Sequence, residues 1–316
     1  MYTKALLPIS HTTQFMLLYV AMNNFKKEIW NYYTTNRRDM PWRTDTRPYY
    51  VVVSEIMLQQ TQVHRVVHKF ESFMKRFPDW NSLVQASTRD VLQEWSGLGY
   101  NRRALYLKRI AETITLNENA RKTTQNSVKE TFKNSPLPKT YDALRALPGI
   151  GPNTAGSILA FAYNIPFPFI ETNIRSVFIH FFFPEIEKRE GKKACKKISD
   201  DQLMPFIEEA LQDPKIRKNP REWYYALMDY GSMLKKTLPN PSRRSAHHVQ
   251  QKPFKGSNRE LRSRILKLVM GKGRTEKEIY DYFKKEEVSL PQIPKNLLDL
   301  TNEGFLKKRN SIYCIK

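Results

Sequence analysis

Two carboxylates in this chain stand where carboxylates are costly. Glu171 is the single acid in "IPFPFIETNIRSVFIHFFF", residues 165–183, and Glu55 follows "YYVVVS" and precedes "IML". An ionised side chain in apolar surroundings must be paired, hydrogen-bonded or put to use. The neighbours of Glu55 predict a raised pKa and a proton held near neutrality. Glu171 lies just ahead of a helix predicted to start at Thr172 or Asn173, where free N–H groups and the positive end of the macrodipole favour the ionised form. One neutral and one ionised carboxyl is what acid-assisted cleavage of a glycosidic bond requires. One protonates the leaving group; the other stabilises or captures the cationic sugar. The same residues also fit a Glu171 that only caps its helix and a Glu55 held in a buried ion pair.

A second chemical feature is "LPGIGPNTAG", residues 147–156. Gly149 and Gly151 immediately precede a predicted helix, so backbone can approach a phosphate and helix N–H groups can face it. No Gly-Lys-Ser/Thr follows and no strand precedes, which excludes a nucleotide P-loop. A helix ("TYDALRAL") enters and a helix leaves, which is a helix–hairpin–helix, a grip on DNA backbone that reads no sequence. A plain helix C-cap with a turn fits the string as well. His64 and His68 have the i, i+4 spacing of metal ligands, but no third ligand is near them in sequence, and no metal site is expected. His180 is expected to pack within its phenylalanine-rich helix.

These groups need elements to hold them. Val63, Val66, Val67, Phe70, Phe73, Met74 and Phe77 form one helical face, Ala155, Ile158, Leu159 and Ala162 a second, and Ile174, Val177, Phe178, Phe181 and Phe182 a third. Strand-like alternation is scarce before residue 300, so the expected class is all-α. Residues 117–135 are polar and read as an exposed loop or insertion. Residues 238–256, rich in proline, serine and basic side chains, read as a linker. Beyond it, capping boxes at Ser257/Glu260 and Thr275/Glu278, a helix over 294–302 and a hairpin turning near Asn310 have the pattern of a winged-helix module. In such a module the third helix is the usual groove reader. A small helical interaction domain is the other reading.

Composition narrows the partner. The 316 residues include 53 lysines and arginines against 31 acids, a net charge of +22. That surplus points to a polyanion such as nucleic acid, although a generally basic surface would also serve solubility. The two cysteines, Cys195 and Cys314, exclude a disulfide scaffold or a four-cysteine cluster and suit a reducing intracellular compartment, hence a cytoplasmic, nucleoid-associated protein. "FMLLYVAM" near the N-terminus is too short to span a bilayer, and no membrane association is expected.

"MPWR", "SEIMLQQTQV", "WSGLGYNRRALYLKRIA", "LPGIGPNTAGSILAF", "IETNIRSV" and "ALMDYG" occur in the order and spacing of the A/G-specific adenine DNA glycosylases. The chain resembles these MutY-like members of the helix–hairpin–helix glycosylase superfamily over about residues 23–236. The resemblance implies a two-lobed helix–hairpin–helix body over 23–237, an extension over 1–22, the linker over 238–256 and the winged-helix-like domain over 257–316. It also implies hydrolysis of the N-glycosidic bond of a flipped adenine mispaired with guanine or 8-oxoguanine. By position, Glu55 matches the acid that protonates adenine N7, Glu171 the acid that stabilises the oxocarbenium-like sugar, and Asn173 its supporting asparagine. Trp42, Arg43, Leu58, Gln59 and Gln60 match residues around the extruded base and the base stack. Gly97, Gly99, Gly149, Gly151 and Thr154 fall on segments facing DNA. Asn153 stands where lyase relatives carry a Schiff-base lysine, which implies a monofunctional enzyme.

The chain also departs from that pattern. Glutamate replaces aspartate at 171, Tyr225 replaces a glutamine or glutamate beside the adenine, and Lys235 stands at the first of four missing cluster cysteines. The resemblance therefore implies no iron–sulfur cofactor, with basic residues contacting DNA in its place. The usual domain that senses 8-oxoguanine has no visible counterpart. Hypoxanthine, or thymine or uracil opposite guanine, remains an alternative substrate, and non-catalytic DNA binding an alternative function. The expected partner is double-stranded DNA with a mismatched or damaged base pair, bound by a monomer.

Overall fold

The computed structural model describes residues 11–124, 136–184, 197–250, 253–285 and 290–316. Its helices run α1 (His11–Asn36), α2 (Pro41–Thr44), α3 (Pro48–Leu58), α4 (Val63–Arg76), α5 (Trp80–Gln85), α6 (Thr88–Trp95), α7 (Arg102–Thr124), α8 (Tyr141–Arg145) and α9 (Pro152–Tyr163). There follow α10 (Thr172–Phe182), α11 (Asp200–Gln212), α12 (Pro214–Lys218), α13 (Pro220–Thr237), α14 (Asn258–Gly271), α15 (Glu276–Lys284) and α16 (Ile293–Asn302). Strands β1 (Arg274–Thr275), β2 (Leu306–Arg309) and β3 (Ile312–Ile315) make one antiparallel sheet in the order β1-β3-β2. The body is thus all-α.

The chain forms two compact units, one of residues 1–39 and 159–249, the other of residues 40–158 and 250–316. It passes from the second to the first inside α9. In the first unit, Phe25 of α1 is buried against the rings of Phe178 (5.1 Å between centroids), Phe182 (5.1 Å) and Trp223 (5.7 Å), joining α1, α10 and α13. In the second, the apolar stripe of α4 is inserted as its spacing predicts: Val66, Phe70, Phe73 and Met74 are buried. Each such side chain contributes about 1.5–3 kcal/mol on burial. The C-terminal elements alternate helix and strand as a winged helix does. Thr275 and Glu278 complete a capping box. Ser257 accepts from the Glu260 N–H, while the Glu260 carboxylate takes the N–H of Gly256. Asn310 (φ 47°) and Ser311 (φ 65°) make the two-residue hairpin turn.

Four local expectations change. The polar stretch from 117 continues α7 to Thr124; it lacks Gly and Pro, and polarity alone does not end a helix. Residues 125–135 lie outside the described residues. In the expected linker, Pro241–Arg244 forms a 3-10 turn with Pro241, Ser242 and Ser245 buried. The Ile198 N–H donates to the Arg244 carbonyl (2.9 Å), and the Ala246 N–H donates to that of Ile198 (2.8 Å). Such a distant partner leaves no local signature. α1 begins well before residue 22, although burial along it starts at Met22 and residues 16–20 are exposed. His180 is exposed, with its ring edge-on to Phe181.

One buried cation organises the second unit. Arg103 sits on the apolar stripe of α7 with Leu107, Ile110 and Ile114, and is 6% exposed. Its guanidinium donates to the carbonyls of Ile56 (2.9 Å), Met57 (2.8 Å) and Gln59 (2.5 Å) at the end of α3, and to those of Leu98 (3.3 Å) and Gly99 (3.0 Å) in the next loop. Burial pushes its pKa down to about 10, so the charge persists at neutral pH. Arg103→Met is expected to destabilise the protein by roughly 3 kcal/mol, since it strands several buried carbonyls. Denaturant unfolding checks this; an unchanged midpoint would contradict it.

Candidate active site

Glu55 lies half-buried near the end of α3, whose first turn is opened by Pro48 and whose other side chains are almost all core. Its partner comes from α9. The Ser157 hydroxyl, 2% exposed, lies 2.5 Å from Glu55 Oε2 and 3.0 Å from the Thr154 carbonyl. A serine has one proton to donate. When that proton goes to Thr154, a proton on Glu55 completes the shorter contact. The pair of contacts therefore suits the neutral carboxylic acid that leaving-group protonation needs.

The surrounding loops are tied to the same helix. Gln59 Nε2 donates to the Gly149 carbonyl (3.3 Å) and to Thr154 Oγ1 (3.2 Å), linking α3 to the hairpin between α8 and α9. Gly149 has φ +76°, and a Cβ there would come within 2.5 Å of the Tyr106 ring. The hairpin thus needs glycine both for its turn and for its seat on α7. Gly97 and Gly99 also have positive φ, and Gly151 faces open space. Gln60 is exposed at φ 55°, while Leu58 and Asn153 are partly exposed or exposed nearby. Trp42 and Arg43 are buried, with the indole edge-on to Phe70 at 5.4 Å. All of these expected site residues belong to the second unit.

Glu171, Asn173 and Tyr225 belong to the first. Glu171 is the N-cap of α10: Oε1 accepts from the N–H groups of Asn173 (2.8 Å) and Ile174 (3.3 Å). Capping thus occupies one oxygen, and among the described residues Oε2 accepts no hydrogen bond. Lys235 of α13 reaches in, donating from Nζ to Asn173 Oδ1 (2.7 Å). Burial pushes the Lys235 pKa down, the Glu171 carboxylate draws it back up, and Arg175 lowers it again. The close approach of α13 depends on Gly231, where a Cβ would lie 2.4 Å from the Asn173 carbonyl oxygen. Tyr225 is 3% exposed and stacks on Phe161, centroids 4.8 Å apart. Among the described residues no cluster of His, Cys, Asp or Glu can hold a metal ion, and no helix is long and apolar enough to cross a membrane.

The chain matches the HhH-GPD superfamily base excision DNA repair protein family over residues 53–200. That segment is an HhH-GPD domain. Within it lie Glu55, the hairpin and Glu171. Curated relatives include the adenine DNA glycosylase of Buchnera aphidicola subsp. Schizaphis graminum, 38% identical over 168 residues, which are 53% of this chain and 43% of the relative. That of Mycobacterium tuberculosis is 35% identical over 147 residues, 46% of this chain and 43% of the relative. This chain therefore spans less than half the length of the curated relatives it matches. A solved thermostable thymine-DNA glycosylase shares the fold at 20% identity, with a TM-score of 0.52 over 68% of this chain and 88% of the other.

The roles of three side chains escaped the sequence reading. Ser157 is an ordinary residue in a small-residue helix and gave no signal. Arg103 carried one, a basic residue on an otherwise apolar helical stripe. Lys235 was read only as standing in place of the first cluster cysteine, and the structure places it on Asn173 beside Glu171. Ser157→Ala is expected to slow base release about 3–10-fold, the worth of one hydrogen bond, and to displace the pH–rate curve. Lys235→Met is expected to slow it similarly. Because the Lys235 pKa is lowered, wild-type activity should fall on the alkaline side earlier than a free lysine would dictate, and Lys235→Arg should remove that fall. Single-turnover rates across pH decide both.

Proposed function

We propose that the protein is a monofunctional DNA glycosylase that hydrolyses the N-glycosidic bond of an adenine flipped from a mispair with guanine or 8-oxoguanine. The observation that carries this reading is the Glu55–Ser157–Thr154 chain, which suits a protonated acid, in an HhH-GPD domain whose relatives are named adenine DNA glycosylases. Glu55 protonates the base, and the N-glycosidic electron pair leaves with it. The cationic sugar is stabilised by Glu171 through Oε2, while Oε1 remains tied to α10. Asn173, held by Lys235, supports that carboxylate; water then adds through its oxygen to the sugar C1′, and its proton goes to the carboxylate left on Glu55, which restores the acid. Asn153 has no amine to form a Schiff base, so the product is an intact abasic strand.

Trp42, Arg43, Leu58, Gln59, Gln60 and Tyr225 shape and support the base pocket in this reading, and Gly97, Gly99, Gly149, Gly151 and Thr154 hold the DNA backbone. No iron–sulfur cluster is required. The monomer, the body over 23–237 and the appended domain over 257–316 belong to the same proposal.

The test is a panel of duplexes with adenine opposite guanine, 8-oxoguanine, cytosine or thymine, together with hypoxanthine, thymine and uracil opposite guanine, each followed by alkaline cleavage. Adenine release from the first two is expected, and Glu55→Gln should lower it by about 10²–10⁴-fold. Release of another base alone would reassign the substrate. DNA binding without any release would make the protein a non-catalytic binder.

A further inference from the structure

The second unit holds a cavity of about 930 Å³ whose walls join Gln59, Gln60, Asn153 and Thr154 of the expected site to side chains of the C-terminal segment. It opens between the loops at Gly99 and Gly149 on one side and α14 and α16 on the other. This is the upper end of the ~300–1,000 Å³ range of small-ligand sites. Its walls have the chemistry of a nucleotide site. Arg102, Arg259 and Arg262 present guanidiniums, against the carboxylates of Asp299 and Glu303. The Phe254 ring lines it and is 51% exposed. A Cβ added at Gly99 or Gly151 would meet nothing within 4 Å, so both loops offer bare backbone to open space.

The outer face of α16 has none of this. Ile293, Asn296, Leu297 and Leu300 are buried, and Lys295 is the helix's single basic residue, beside the exposed Leu298. Its far end turns to the cavity, where the Glu303 carboxylate accepts from Arg102 (2.5 Å) and Arg262 (2.6 Å). Arg259, by contrast, donates to the Tyr100 hydroxyl and stacks 5.0 Å over that ring, an arrangement that fixes a cation at the cavity wall.

We propose that this cavity, and not the outer face of α16, is the nucleic-acid site of the C-terminal segment, and that it takes an unstacked deoxynucleotide. Its phosphates lie on Arg259 and Arg262 and its base on Phe254. Glu303 occupies the forks of Arg102 and Arg262 in the free protein, and an incoming phosphate exchanges with that carboxylate. The site adjoins the base pocket of the proposed function and rests on that reading of the DNA face, but its ligand needs no adenine and no excision.

The test uses the full chain and a short fluorescent oligothymidylate, read by anisotropy at several salt concentrations. Arg259→Ala is expected to weaken binding about 10-fold and to reduce the salt slope by about one. Phe254→Ala should weaken it at least 5-fold, the lower end of base–aromatic stacking at ~1–3 kcal/mol. Glu303→Gln should tighten it several-fold, a direction that misfolding would not produce. Lys295→Ala and Leu298→Ala should stay within twofold. If Arg259→Ala and Phe254→Ala both bind like the parent with unchanged circular dichroism, or if the α16 variants weaken binding more than they do, the proposal is overturned. Adenine release from a mismatched duplex is measured separately, so its loss with oligothymidylate binding intact would strike only the excision reading.

Discussion

The guanidinium of Arg103 is the interaction on which the second unit depends. A helix ends with carbonyls that have no partner within it, and a glycine-bearing loop has few of its own. Here the end of α3 and the loop through Leu98 and Gly99 meet, and one buried cation satisfies both. A neutral side chain could serve two such carbonyls at most. The planar fork serves six, the Tyr100 carbonyl included, and its charge is offset by carbonyl dipoles rather than by an acid. The consequence reaches the chemistry, because the helix end so fixed carries Glu55 and Gln59.

The two carboxylates are held by opposite means. Glu55 is placed by a side chain, Ser157, in a contact that suits a proton on the acid. Glu171 is placed by backbone N–H groups at a helix start, which suits negative charge. Aspartate is the commoner N-cap because its shorter side chain reaches those donors without bending back. Glutamate reaches them here through one oxygen, and the extra methylene is taken up within the cap. Lys235 then adds a positive charge close to Glu171 from a position the resemblance assigns to a cluster cysteine.

Much of this was legible in the sequence. The two isolated acids, the hairpin glycines and the apolar stripes of α4 and α10 rest on local periodicity and on the cost of burying charge, and they predicted the all-α body. The paired capping residue and turn at Thr275 and Asn310 likewise announced the C-terminal elements. What stayed hidden depends on partners far apart in sequence. Ile198 pairing beside Arg244, Ser157 meeting Glu55 and Lys235 meeting Asn173 leave no trace in a local window. Residues 117–124 misled for another reason: a polar stretch without Gly or Pro can continue a helix as readily as it can form a loop.

The interleaving of the two units also bears on how the protein is made. α1 emerges early in synthesis, yet Lys26 of that helix pairs with Asp213, 187 residues later, and Phe25 packs on Phe178 and Trp223. Until α10 has emerged, the ring of Phe25 has none of these partners, and Trp223 of α13 follows later still. The intervening second unit must also begin to form without closing off the return of the chain through α9. Loop closure over such a span is slow relative to local helix formation. The first helix is therefore secured only after α10 and α13 have emerged, and until then its aromatic face waits in solvent, a natural point for chaperone capture.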